Sequence, residues 1–300
     1  MSTLAEGRAT DRFEFYGVQY ARFESEIATS IRREVYGEDL GQQGWRTLDE
    51  QTVIANLILE SSPCHALDIA CGSGAPSLAL VKQTGCRLTG VDIEATGIER
   101  AGQQAIAQGL SQLARFEIAD CSERLPYPDG AFDVIICIDA VLHLKDRFAT
   151  LADWCRLLRP QGRVIFTDAA VVTGSISIEE LTIRASQGPF SLVPPGLNEE
   201  AVRASGLVLR RREDRTRATA EIAARWQVAR ERRAVDLQKV EGEDWFIRRQ
   251  RFLAMTAELA ADRPPLSISL RRGSARNLQS VKLHRPAALA KQAHATSIGQ

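Results

Sequence analysis

Residues 66–75 read A-L-D-I-A-C-G-S-G-A, an apolar run that carries one carboxylate, Asp68, and ends in Gly72 and Gly74. Glycines at that spacing let the backbone turn sharply and approach a ligand closely, because neither has a Cβ to collide. Pro76 follows where a helix should begin, a position that tolerates a missing N–H. A strand, a glycine turn and a helix N-terminus together make a nucleotide-type pocket. Further groups recur along the chain: Asp92, then Asp120 with Cys121, then Asp139 with His143. A carboxylate at Asp92 can accept both hydroxyls of a ribose, and a charged hydrogen bond is worth roughly 1.5–3 kcal/mol. Asp120 is placed to accept from an adenine amino group, Cys121 can press on the ring, and Ala70 and Ile93 fall in the same cleft. Asp139 and His143 stand in I-D-A-V-L-H-L, so a loop entering a helical turn would aim both at one pocket. An unperturbed imidazole titrates near 6.5 and can act as a base.

Those groups need a scaffold that sets them side by side. Apolar runs predict strands at 66–70, 87–92, 116–120, 132–138 and 163–168, alternating with helical patterns. Strand–helix alternation at this spacing predicts an α/β fold, a doubly wound, mostly parallel, seven-stranded Rossmann-like sheet. The chemistry-bearing residues then fall at the C-terminal strand ends, where open α/β sheets bind ligands. Thr47 and Glu50 form a T-x-x-E capping box that starts a helix. After Asp168 the rhythm changes: a helix within 174–198 and the irregular S-L-V-P-P-G-L-N read as a lid. A sixth strand is expected at 207–209, one long helix at 218–240, another at 244–261 and a last strand at 266–270. The expected organisation is a helical cap (1–60), a ligand-binding core (61–172), a lid (173–205), C-terminal elements completing the core (206–274) and a flexible tail (275–300).

The chain has 300 residues, 44% hydrophobic and 25% charged, with zero formal charge. Such a balance exerts no pull on nucleic acid or acidic membranes. No apolar run is long enough to span a bilayer, and the polar N-terminus lacks a signal-peptide core. The six cysteines form no C-x-x-C pair and read as reduced thiols of a cytoplasmic protein. The expected partner is a small molecule, with neither nucleic acid nor membrane, and the helical segments could support a homodimer.

The set Asp68, Gly72, Gly74, Asp92 and Asp120 resembles the class I S-adenosylmethionine-dependent methyltransferases over residues 66–168. A dinucleotide fingerprint needs G-x-G-x-x-G/A, whereas Ser77 stands third here and Asp68 has no role in that scheme, so NAD fits less well. The resemblance implies S-adenosylmethionine as methyl donor, S-adenosylhomocysteine as product and no metal. It also implies that Asp68 holds the methionine amino group, Asp92 the ribose and Asp120 the adenine side. The run L-L-R-P-Q-G-R-V-I-F-T-D looks like the family's fifth-strand signature. Around Asp139 and His143 the sequence is similar to the phosphoethanolamine methyltransferases. That likeness implies that Asp139 holds a substrate amine and that His143 works in a dyad with a tyrosine, Tyr20 or else Tyr36. The chain departs from the pattern at Ala169 and Ala170, where an aromatic phosphate contact is expected, which puts a phosphobase substrate in doubt.

Methyl transfer from a sulfonium is an in-line displacement that needs alignment and exclusion of water. Trp45 could close over the cation or simply pack the cap. Arg184 could meet an anionic substrate group or lie solvated. Phe190 belongs to an apolar underside of the lid. The expected activity is methylation of nitrogen or oxygen on a small molecule. The alternatives are a tailoring enzyme for a larger natural product, and a protein of this fold that has lost catalysis.

Overall fold

A computed structural model describes residues 20, 25–61, 64–171, 176–187, 190–261 and 279–284. Five strands run parallel: β1 (His65–Ile69), β2 (Arg87–Asp92), β3 (Ala114–Ile118), β4 (Phe132–Cys137) and β5 (Leu158–Phe166). With β6 (Val208–Asp214) and β7 (Gln279–His284) the order across the sheet is β3-β2-β1-β4-β5-β7-β6, and β7 is antiparallel to both its neighbours. The helices are α1 (Glu26–Tyr36), α2 (Leu48–Leu59), α3 (Ala75–Thr84), α4 (Ala95–Ala107), α5 (Arg147–Leu157), α6 (Ile178–Arg184), α7 (Leu197–Ala204), α8 (Thr216–Glu231), α9 (Ala234–Glu241) and α10 (Glu243–Ala261).

Alternation along the strands makes the sheet apolar on both faces. Leu67, Ile69, Ile135 and Val164 pack with Leu151 and Trp154 of α5 and Val202 of α7. Ala66, Leu88, Val134, Ile136 and Ile165 pack instead with Ile54, Leu57 and Ile58 of α2 and Leu78 and Val81 of α3. Each such aliphatic side chain contributes about 1.5–3 kcal/mol on burial, so helices are held against both sides. Gly74 caps α3 in the left-handed region, at φ 74°. A Cβ there would meet Ala101 and Phe116, so its lack of a side chain serves the packing of α4 and β3 on the turn.

A third apolar cluster joins α1 to the C-terminal helices through Ile31, Val35, Tyr36, Ile222, Leu237 and Phe246. The segment between α1 and α2 contributes Gly41 to Arg46 to the wall of the cavity beside the β1 turn and the loop after β4. Both halves of the Thr47/Glu50 capping box are formed, which fixes where this strap ends and α2 begins.

Several elements differ from expectation. Residues 218–240 form two helices, because the chain turns at Arg232 and Arg233 between α8 and α9. β5 begins at Leu158 rather than Arg163, taking in the R-P-Q-G segment with Gln161 at φ 66°. β3 lies two residues earlier than expected, at Ala114–Ile118. β6 extends beyond the expected 207–209 to Asp214, carrying Arg210, Arg211 and Arg212 as part of an edge strand. The expected strand at 266–270 lies outside the described residues, and β7 is instead Gln279–His284, inside the segment read as a flexible tail. The sequence gives no strong strand signal there, and pairing with β5 and β6 supplies what local preference does not. None of the six cysteines forms a disulfide.

Candidate functional site

After β1 the chain passes through Ala70 at φ 55° and Gly72 at φ 57° and turns into α3. The carboxylate of Asp92, at the end of β2, braces this turn. Its Oδ2 accepts from the Gly72 N–H at 2.8 Å and its Oδ1 from the Glu94 N–H at 2.9 Å. Burial raises the Asp92 pKa, and these two N–H donors oppose that rise. Asp68 lies deeper in β1, outside the cavity wall, and accepts from Ser77 Oγ at 2.5 Å. Burial pushes its carboxyl up to about 6, against the pull of Ser77 and of the Arg46 guanidinium.

The strap is tied down from both sides. The Tyr36 hydroxyl donates to the Gly44 carbonyl at 2.6 Å and accepts from Trp226 Nε1 at 2.9 Å. The Trp45 N–H donates to Asp139 Oδ2 at 2.6 Å, and the Thr167 hydroxyl donates to Asp139 Oδ1 at 2.8 Å. A Cβ on Gly44 would collide with the Asp139 carboxylate, so glycine is what lets the strap come this close. Asp139 itself sits at φ 57°, a strained backbone for a residue with a side chain. Burial raises its pKa, while the Trp45 and Thr167 donors favour its charged form.

Turn, strap and the loops after β2 to β5 enclose a cavity of about 770 Å³. One end is lined by Ala70, Gly72, Asp92, Ile93, Asp120 and Cys121, the residues read as a nucleoside cleft. The other is lined by Trp45, His143, Arg184 and Phe190, with Asp139 at the junction. His143 ends a short 3-10 turn, Val141–His143, and its ring lies 5.2 Å from that of Phe190. Trp45 stacks on Phe252 of α10, ring centroids 6.2 Å apart.

Other expected site residues are placed differently. Tyr20 lines the same cavity as His143, with its ring against Gly72 and Gly97. Tyr36 is buried behind the strap as a brace and does not line the cavity. Gly74 faces Ala101 and Phe116 instead of the cleft. Asp139 lines the cavity with both oxygens engaged, one by the Trp45 N–H and the other by the Thr167 hydroxyl. Arg184 is buried, not solvated.

Sequence reading also missed contributors. Arg46 lines the cavity within electrostatic reach of Asp68 and Asp139 and makes no hydrogen bond or ion pair among the described residues. Desolvation lowers its pKa, as expected for a cation held without a direct partner. Its position beside the capping box at Thr47 is the one local signal that fixes it near a helix start. Phe252 and Arg249 reach the cavity from α10. Phe252 belongs to that helix's apolar stripe, and nothing local says which element the stripe will meet.

Residues 67–166 match the methyltransferase domain family. The chain is 29% identical over 241 residues to the 27-O-demethylrifamycin SV methyltransferase of Amycolatopsis mediterranei, covering 75% of this chain and 87% of that one. It is 35% identical over 102 residues to phosphoethanolamine N-methyltransferase 1 of Arabidopsis thaliana, covering 34% of this chain and 20% of the relative. Its fold is similar to that of Haemonchus contortus phosphoethanolamine N-methyltransferase 2, solved with phosphomonomethylethanolamine and S-adenosylhomocysteine. The TM-score is 0.69 at 17% identity, over 91% of this chain and 60% of that one.

Proposed function

We propose that this class I S-adenosylmethionine-dependent methyltransferase methylates a nitrogen or oxygen of a small molecule seated between Trp45, His143, Phe190 and Phe252. The observation that carries the reading is one cavity with two unlike ends, carboxylates at the β2 and β3 side and an aromatic wall at the other. Its volume falls within the range of ordinary ligand sites.

The nucleoside end suits the methyl donor. Gly72 presents bare backbone where a Cβ would lie 2.7 Å from the Tyr20 hydroxyl. Arg46 on the wall is a cation without a carboxylate partner among the described residues, and Asp68 behind the wall is an anion that acts on the ammonium group through the field, so the two suit a zwitterionic amino-acid end. Asp92 would hold the sugar, with Asp120, Cys121 and Ile93 around the base. When bound, S-adenosylmethionine supplies an electrophilic methyl group on a sulfonium. Trp45 and Phe252 screen the chamber from water, which strengthens the polar contacts inside it. His143 would take the proton that the acceptor loses, with Phe190 fixing the plane of its ring. Asp139 acts at one remove, by holding the strap that carries Trp45.

A bulkier natural-product acceptor is the second reading, favoured by the relative that acts on 27-O-demethylrifamycin SV and aligns over most of its length. A screen of acceptor pools with isotopically labelled methyl donor, read by mass spectrometry, decides between them. Label should appear in an N- or O-methyl product. Transfer only to carbon, or no transfer from any pool, would refute the proposal.

Asp68 predicts a pH dependence for donor binding. Its folded-state pKa is raised, so the folded chain keeps the proton to higher pH, and ionisation between its ordinary range and about 6 costs stability. A cationic ammonium group favours the ionised form, so affinity for S-adenosylmethionine should be flat from pH 6.5 to 7.5. Below 6 it should fall about tenfold per pH unit. Calorimetric titration of Asp68→Asn should give weaker binding with that slope removed. An unchanged slope in the variant would assign the effect to another group.

A further inference from the structure

Arg184, the last residue of α6, is 8% exposed. Its Nη1 donates to Thr256 Oγ1 at 2.8 Å and its Nη2 to the Ala169 carbonyl at 3.3 Å. Its guanidinium lies 5.1 Å from the centroid of the Phe252 ring. Those partners are all neutral. No carboxylate reaches it among the described residues, and burial alone pulls its pKa down to about 10. Buried arginines are ordinarily paired, because neutral acceptors satisfy hydrogen bonds without compensating the charge. A desolvated cation on the wall of a cavity is therefore a feature that a ligand would complete.

The rest of that end has the same sign. Arg249 of α10 also lies over Phe252, at 5.1 Å, and lines the cavity. The lining carboxylates Asp92, Glu94 and Asp120 end or follow β2 and β3, on the far side of β1, whereas Ala169 follows β5. Asp139, between them, is engaged by Trp45 and Thr167.

We propose that the methyl acceptor carries an oxyanion, a carboxylate or a phosphate, which seats against Arg184 with Arg249 flanking it and its apolar body between Trp45, Phe190 and Phe252. A planar guanidinium fork matches either group, and the aromatic faces suit the part of the molecule between anion and methylated atom. The inference rests on the cavity's other end holding S-adenosylmethionine, and the test separates the two claims.

The full-length chain, saturated with S-adenosylhomocysteine, is titrated calorimetrically with benzoate, phenyl phosphate and their uncharged counterpart benzamide. At least one anion should bind ten times or more tighter than benzamide. Preference for benzoate assigns a carboxylate, and preference for phenyl phosphate a phosphate. Arg184→Gln should abolish the preference while S-adenosylhomocysteine affinity stays within twofold, Arg184→Lys should keep part of it, and Arg249→Gln should reduce it. Should Arg184→Gln not fold, the anion-to-amide ratio of the parent chain and its reduction in Arg249→Gln decide the matter. Equal binding of all three probes, or a preference that survives both glutamine variants, overturns the proposal. If S-adenosylhomocysteine itself gives no heat, the donor-site reading fails, and the same anion titrations on the chain alone still decide the role of Arg184.

Discussion

Asp92→Ala should weaken S-adenosylhomocysteine binding by about 10²–10⁴-fold. The carboxylate makes two contributions. It braces the glycine turn through the Gly72 and Glu94 N–H groups, and in the proposed complex it accepts from the sugar hydroxyls. Two charged hydrogen bonds at roughly 1.5–3 kcal/mol each give about 3–6 kcal/mol, and each 1.4 kcal/mol is about tenfold in affinity. Asp92→Asn preserves shape and loses charge, so it should fall between parent and alanine variant. Calorimetry gives the affinity, and thermal melting of the ligand-free variants shows whether the turn alone has loosened. An alanine variant that binds within threefold of the parent would mean that the nucleoside sits elsewhere.

Removing the imidazole should act on turnover and spare donor affinity. With a labelled acceptor in hand, His143→Ala should lower kcat by about 10²–10⁴-fold, the usual reach of a positioned general base. Binding of S-adenosylhomocysteine should be unchanged, because His143 follows β4 with its ring against Phe190, whereas Gly72 and Asp92 belong to the β1 turn and the end of β2. Full turnover by the variant from pH 6 to 9 would show that His143 is not the base. The acceptor would then lose its proton without help from this side chain.

The contrast between these two residues and Asp139 shows how far a sequence reading extends. Asp92 and Asp120 end or follow apolar runs, and a strand end is a local property that hydrophobic periodicity reveals. The same holds for the capping box at Thr47, formed by residues three apart. Asp139 looked equally chemical, yet its role is decided by Trp45, 94 residues away along the chain. Tyr36 is settled in the same manner by Trp226, 190 residues away. Tyr20 lies against the glycine turn through Gly72, a contact that residues 52 positions apart make only in the folded chain.

From its sequence alone the chain determined a parallel sheet with a glycine turn after β1 and carboxylates at successive strand ends. Those features follow from backbone conformational preference and from the alternation of apolar residues, which act over a few residues. Only the tertiary structure decided that a strap would cross the site, that Asp139 would hold it, and that Arg46 and Arg184 would face the cavity as cations without ion-pair partners among the described residues. The difference is physical: whether a charge is solvated, paired or stranded depends on which distant elements pack around it, and packing is set by the whole fold.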